Sequence, residues 1–255
     1  MSALIDNPFS VFVCSLAALW FAARLGTLLR KRFGAVVDEA REDLGIVRSA
    51  ALTLLALIIG FTFSMALGRY DQRKNCEEAE ANAIGTEYLR AELLPAADAG
   101  RVQALLRDYL DHRILFYEVR DPQRIRQISA GTTQLQAQLW AAILAPAAAQ
   151  PTPIVGLAVS GMNDVFNAQG YTQAAWWNRI PLAAWALLGT IAVCCSLLLG
   201  YGARSSAAEG RMHVVLPFVL AVAFALIADI EAPHAGVILV EPHNLIAAKA
   251  ALGGH

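Results

Sequence analysis

Two glutamates and an asparagine have the residue types and the spacing to hold a cation. Glu77 and Glu80 are three residues apart, so they share a face in a helix, and Asn82 follows closely. Carboxylate and amide oxygens are the ligands that calcium prefers. The alternative is a solvated or salt-bridged helix face that pairs with Arg73, Lys74 or Arg90. This alternative is favoured, because the segment has no acidic loop with the glycine turn that calcium loops use.

A second acidic pair, Asp229 and Glu231, stands where a long apolar stretch ends. Carboxylates at the edge of a membrane are usually hydrated, and hydration is the simpler interpretation of this pair. The alternative is an ion pair with Arg69 or Arg179, which lie at the ends of neighbouring apolar stretches. In both interpretations the two acids mark a membrane edge.

The chain has no pattern typical of an active site. It contains no G-x-S-x-G, no H-E-x-x-H and no glycine-rich phosphate loop. Its four cysteines do not have the spacing of metal ligands. We therefore expect no enzyme activity, no catalytic residue, no metal and no cofactor. A net charge of −1 also gives no reason to expect a nucleic-acid partner.

Charged residues are scarce and unevenly distributed. They make up 16% of the chain, against about 25% in typical soluble domains, and they lie between long apolar stretches. A bilayer core about 30 Å thick needs roughly 20 apolar residues in a helix. Four stretches approach or exceed that length, at about 9–29, 49–68, 180–203 and 212–228. The pattern predicts an all-α, polytopic membrane protein with four transmembrane helices in a lipid bilayer.

A polar segment separates the second span from the third. Its apolar residues recur at helical spacing, which predicts a helical insert outside the membrane. Because no proline occurs between Gly68 and Pro95, the second transmembrane helix is expected to continue into the insert. The predicted divisions are transmembrane helices 1 and 2 (1–68), the insert (69–179), transmembrane helices 3 and 4 (180–229) and a polar C-terminal tail (230–255).

The second span has one face of small residues at intervals of four, which we call the ladder. Small side chains let helices approach closely in lipid. One interpretation is that the ladder packs against other helices of the same chain. The other is that several copies meet at a shared axis, so that the ladder lines a narrow pore with Phe61 and Phe63 beside it. The ladder consists of Ala56, Gly60, Ser64 and Gly68.

Seven short segments along the chain are informative when they are taken together. They are GFTFS at 60–64, RYDQR at 69–73, EANAIGT at 80–86, YLR at 88–90, LRDY at 106–109, NRIP at 178–181 and DIEAP at 229–233. Together they resemble the bacterial bestrophin-like membrane proteins, and the resemblance covers most of the chain. The chain departs from that family at Ala232 and His234, because the family more often has a basic residue near this proline.

The resemblance implies a function as well as a fold. Bestrophins are oligomeric anion channels whose aromatic-rich second helix lines the pore. By this resemblance the constriction would lie at Gly60, Phe61, Phe63 and Ser64. Arg69 and Arg73 would then form a positive mouth that raises the local concentration of inorganic anions. The expected function is a homo-oligomeric ion channel, and the alternative is a non-conducting sensor or scaffold whose insert binds a partner or ligand.

The expected location is the bacterial inner membrane, and two orientations are open. Basic residues are slightly more frequent on the side of the loop between the first two spans. The positive-inside rule then places the insert outside the cell. The resemblance to bestrophins places it in the cytoplasm instead.

Overall fold

Every regular element in the described part of the chain is a helix. The computed structural model describes residues 7–33, 38–202 and 207–253. The helices are α1 (Pro8–Phe33), α2 (Asp38–Arg90), α3 (Ala96–Glu118), α4 (Pro122–Ala149), α5 (Pro153–Trp177), α6 (Leu182–Tyr201), α7 (Ala207–Glu231) and α8 (His243–Gly253). A short 3-10 turn, Ala91–Leu93, follows α2. The all-α prediction is confirmed.

Four stretches are long and apolar enough to cross a membrane, which confirms the predicted class of membrane protein. They lie in Pro8–Arg32, Asp43–Leu93, Pro153–Tyr201 and Val214–Glu231. The second and third are far longer than a bilayer requires, so their spanning parts are the uncharged segments within them. The sequence prediction places these parts at residues 49–68, which lie in α2, and 180–203, which include α6. The predicted third span ends at residue 203, which lies outside the described residues.

Prolines and capping side chains set the helix ends. α2 is one helix of 53 residues, and Pro95 follows it as the N-cap of α3. The Asp121 carboxylate accepts a hydrogen bond from the Gln123 backbone N–H at 3.0 Å and caps α4. Thr152 caps α5 in the same way, at 3.3 Å from the Val155 nitrogen. Proline at the first helical position suits both starts, because that N–H has no partner in a helix.

The chain forms two compact units. Unit 1 comprises Met1–Gly68 and Arg179–Ile238, and unit 2 comprises Arg69–Asn178 and Leu239–His255. In unit 1, α1 packs along both α6 and α7. The buried core of unit 1 includes Val11, Leu19, Leu55, Leu188, Ala192, Leu220 and Phe224. The membrane-spanning helices therefore share one apolar core.

Two glycines bring the backbones of α1 and α6 into direct contact. A Cβ atom on Gly26 would overlap the carbonyl oxygen of Leu197, and one on Gly200 would overlap the carbonyl oxygen of Ala23. Small residues allow this close approach, which is a main source of helix association in lipid. This close helix contact thus involves glycines that the sequence pattern does not single out.

Unit 2 has its own core, which includes Ile84, Leu106, Tyr109, Leu139, Ile143, Met162 and Val165. Helix α4 packs against α3 and α5, and α8 packs against α3. The end of the chain was predicted to be a polar tail, and this is wrong for the described residues. It contains α8, whose Leu245 and Leu252 are buried in the core of unit 2.

Substitution of Gly200 tests the backbone contact in unit 1. Gly200→Ala should lower the thermal unfolding midpoint of the purified protein, because overpacking of this kind costs about 1–3 kcal/mol. Gly189→Ala on the same helix is the matched control, since a Cβ there meets nothing within 4 Å. Equal midpoints for the two variants would show that α1 and α6 are not in contact at Gly200.

Candidate functional site

The ladder on α2 faces away from the other helices of unit 1. All four ladder residues are exposed. A Cβ atom on Gly60 or on Gly68 would meet nothing within 4 Å in the described part of the chain. Among the described residues, these contacts give no support to the interpretation that the ladder packs closely within the chain.

The opposite side of the same helix is buried. Leu55, Thr62 and Ala66 are at most 3% exposed, and at about 100° per residue they lie roughly opposite Ser64. The Thr62 hydroxyl donates to the Ile58 carbonyl at 2.7 Å, so its polar group is satisfied within the helix. The spanning part of α2 thus has one packed side and one bare side of small residues.

Two phenylalanines flank the ladder. At about 100° per residue, Phe61 lies on one side of the ladder and Phe63 on the other. Phe61 is 63% exposed, and Phe63 is half-buried. The bare side of α2 therefore presents small residues at its centre and bulky apolar rings at its edges.

Arg69 and Arg73 lie on a different side of α2. Arg73 is only 1% exposed, and Arg69 is half-buried. A guanidinium that is enclosed by its own chain cannot attract ions from solution effectively. Their positions do not favour the predicted role of these arginines in a positive mouth.

The Glu80 carboxylate is fully buried in unit 2 and forms an ion pair with Arg113 of α3. It accepts hydrogen bonds from Nε and Nη2 of Arg113 and from the Thr172 hydroxyl of α5, the last at 3.0 Å. The Arg113 guanidinium also lies 4.6 Å from the centre of the Phe116 ring. The salt bridge favoured from the sequence is thus present, but it is buried rather than solvated. Its partner, Arg113, lies on another helix, so the spacing of residues along α2 did not indicate it.

Glu77 holds the start of the C-terminal helix. Its carboxylate accepts hydrogen bonds from the Leu245 backbone N–H at 2.9 Å and from the Asn244 side chain at 2.6 Å. A carboxylate at a helix N-terminus is stabilised by the unpaired N–H groups and by the helix dipole. Glu77 therefore fastens α8 to α2.

The three residues of the predicted cation site are not brought together. Glu77 and Glu80 are engaged with different partners, and Asn82 is exposed. Among the described residues, no group of three or more His, Cys, Asp or Glu side chains could hold a metal ion. The geometry gives these residues structural contacts instead.

The environment of Glu80 affects the titration of its neighbours outside the spanning segments. Burial lowers the pKa of Arg113, but the charge of Glu80 and the hydrogen bond to it outweigh this and raise it. Burial is the main cause that raises the pKa of Tyr109 and of Tyr117 far above the ordinary phenol value, and Glu80 adds to it. Arg113 therefore stays charged and both tyrosines stay protonated across the physiological range.

Asp229 and Glu231 are buried, so the prediction that they are hydrated is wrong. The two oxygens of Asp229 accept hydrogen bonds from the backbone N–H groups of Val237 and Ile238, both at 2.8 Å. Glu231 accepts one from the Ile180 N–H at 2.7 Å. The pair holds the turn after α7 and the approach to α6 in place.

One signal could have revealed Arg113. It falls on the apolar side of α3 together with Leu106, Tyr109, Leu110 and Ile114, which recur at helical spacing. A charged residue within an apolar stripe must find a buried partner or leave the core. The identity of that partner depends on α2 and could not be read from α3.

A groove of about 690 Å³ lies between α2 and α5 in unit 2. Its polar lining is mainly amide side chains, namely Gln72, Asn75, Asn167 and Asn178. Alanines form much of the remaining lining. Tyr171 and the carboxylate of Asp164 also line the groove, so its surface offers both donors and acceptors.

A family model described as the bestrophin-like domain matches residues 16–245. A search of curated protein sequences gave no match. Several solved structures are similar along almost the whole chain. A crystal structure of a substituted bestrophin homologue from Klebsiella pneumoniae has a TM-score of 0.67 at 14% identity, covering 97% of this chain and 98% of that chain.

Two further structures of the Klebsiella pneumoniae homologue agree with this result. A second substituted form has a TM-score of 0.64 at 15% identity and covers 96% of this chain and 99% of that one. Another crystal structure has a TM-score of 0.56 at 17% identity, with coverage of 94% and 97%. At such low identity the similarity shows a shared fold.

Removal of one partner tests the buried ion pair. Arg113→Met should strongly lower the thermal unfolding midpoint, because an uncompensated buried carboxylate costs about 3–5 kcal/mol. Arg101→Met replaces an exposed arginine of the same helix and should have little effect. The double variant Glu80→Met/Arg113→Met should recover much of the loss. Equal midpoints for Arg113→Met and Arg101→Met would contradict the ion pair.

Proposed function

The chain belongs to the bestrophin-like family, and we propose that it forms a homo-oligomeric ion channel in a lipid bilayer with α2 lining the pore. The bare ladder of α2 is the observation that supports this proposal most directly. Its glycines contact nothing in the described residues, although glycine faces in lipid serve close helix approach. A helix from another copy of the chain is the partner that would use this face.

Copies arranged around a shared axis would place the small residues at the centre of a narrow pathway. The rings of Phe61 and Phe63 at the edges of the ladder would make that pathway apolar. An apolar constriction can block ions by losing its water, and a small change in width restores conduction. The neck proposed here therefore consists of Gly60, Phe61, Phe63 and Ser64.

The proposal that the conducted ions are anions rests on the family resemblance. The buried position of Arg73 gives it no support, because a positive mouth needs exposed cations. The exposed charged residues of α2 just beyond Gly68 are Asp71, Lys74 and Glu78, so both signs are present. We propose the bacterial inner membrane as the location, in either of the two orientations.

A non-conducting sensor or scaffold is the second candidate, and the amide-lined groove of unit 2 favours it. Amide side chains can recognise polar ligands through paired donors and acceptors. In this case the groove would bind a ligand or partner, and the protein would not conduct ions.

Ion flux from liposomes tests the channel proposal. Phe61→Ala should increase chloride efflux severalfold, because a smaller side chain widens and hydrates the constriction. Phe21→Ala on α1 is the matched control, since Phe21 is 65% exposed and Phe61 is 63% exposed. Chloride-impermeable vesicles with wild type, Phe61→Ala and Phe63→Ala alike would end the channel proposal. Potassium efflux without chloride efflux would keep the channel and overturn the anion preference.

Cross-linking tests whether copies meet at the ladder. In a background without the four native cysteines, Gly60→Cys should form disulfide-linked dimers on mild oxidation in membranes. Val215→Cys is the control, because Val215 is 53% exposed and belongs to a different helix, α7. Equal yields at the two positions would mean random encounters in lipid. No linkage at residue 60 in intact membranes would mean that the ladder faces acyl chains.

A further inference from the structure

A third glutamate of α2, Glu87, has an environment unlike those of Glu77 and Glu80. Its side chain is 0% exposed, and neither carboxylate oxygen has a hydrogen-bond partner in the part of the chain that the structure describes. A charged carboxylate in such a place has lost water without gaining donors, which costs much free energy. The neutral, protonated acid is the form that suits this site.

Gly161 of α5 creates the space in which Glu87 lies. A Cβ atom on Gly161 would overlap Oε2 of Glu87 and would lie 2.6 Å from Nη1 of Arg90. The carboxyl and the guanidinium therefore rest against the same point of the α5 backbone, which we call the Gly161 notch. A side chain at this position would displace one or both groups.

Arg90 is held in place only weakly. Its Nη1 lies 3.5 Å from Oδ2 of Asp164, which is one turn further along α5. Hydrogen bonds between charged groups are usually about 2.7–2.9 Å long, so this pair is loose. Both side chains are also partly exposed, which weakens the attraction further. Arg90 is thus within reach of two carboxyl groups and tightly bound to neither.

The charges around Glu87 favour titration near neutral pH. Glu87 lies well beyond Gly68, outside the spanning segment. Burial raises the pKa of Glu87 from 4.5 to about 8, and the nearby Asp164 raises it while Arg90 lowers it. Arg90 comes from the same helix and Asp164 from α5, the element that packs against Glu87.

We propose that Glu87 is a proton-operated switch at the contact between α2 and α5 in unit 2. With its proton, the neutral carboxyl stays in the Gly161 notch and Arg90 pairs with Asp164. When the proton leaves to water, the carboxylate takes the Arg90 guanidinium from Asp164, and the notch contact loosens. This switch does not depend on the proposed channel function.

The direction of the pH effect follows from the two states of the chain. Glu87 of the unfolded chain loses its proton near 4.5, whereas the folded chain keeps it until about 8. The contribution of Glu87 to stability is therefore largest below 4.5, decreases as pH rises through this interval, and is constant above it. Glu87→Gln stays neutral at every pH, so this decrease should be absent in that variant.

Thermal unfolding between about pH 5 and about pH 9.5 tests the switch. The midpoint of wild type should fall relative to that of Glu87→Gln until about pH 8 and then run parallel to it. Glu78→Gln replaces an exposed glutamate of the same helix and should follow wild type. Curves of wild type and Glu87→Gln that run parallel throughout would overturn the proposal.

Difference infrared spectra give a readout that does not depend on stability. Wild type should lose the C=O band of one protonated carboxyl near pH 8, and Glu87→Gln should lack that band. Asp164→Asn should lower the pH at which the band disappears, because it frees Arg90 for Glu87, and Arg90→Gln should raise it. No carboxyl band near this pH in wild type, or a midpoint unmoved by both substitutions, would overturn the switch.

Discussion

Hydrocarbon offers no partner for backbone N–H and C=O groups, and this constraint shapes every element of unit 1. Helices satisfy those groups internally, so the packing of unit 1 depends on how closely its helices approach one another. Gly26 and Gly200 allow backbone contact between α1 and α6. The ladder of α2 has equally small residues but no neighbour among the described residues. Gly26 and Gly200 are thus covered by a neighbouring helix, whereas the ladder is exposed. The proposed pore depends on this difference.

In unit 2 the organising feature is buried charge. Glu77, Glu80 and Glu87 lie on one buried side of α2 at intervals of three and seven residues. Glu77 caps a helix, Glu80 forms an ion pair, and Glu87 has no hydrogen-bond partner. A carboxylate is tolerated in an interior only when donors or a cation replace its water. The first two glutamates therefore hold α8, α3 and α5 around α2, and the third depends on its proton.

Local features of the sequence predicted much of the fold. Four long apolar stretches predicted the helices that are long enough to cross a membrane, and Pro122 and Pro153 lie at helix starts because proline suits the first turn. Proline inside a helix usually kinks or ends it, yet α4 continues past the buried Pro146. The Arg113 partner of Glu80 and the backbone donors to Asp229 were missed, since helical spacing within one element does not indicate them. Hydration of Asp229 was the expected default, and backbone donors replaced it.

The glycine contact between α1 and α6 has a mechanical consequence for unit 1. Where two main chains touch, no side chain is available to change rotamer and absorb a displacement. Rotating either helix about its axis would drive a neighbouring side chain into the opposite main chain. We therefore expect these two helices to move together rather than rotate independently. Rearrangements within unit 1 are then expected at those helix contacts where flexible side chains, rather than backbone atoms, separate the helices.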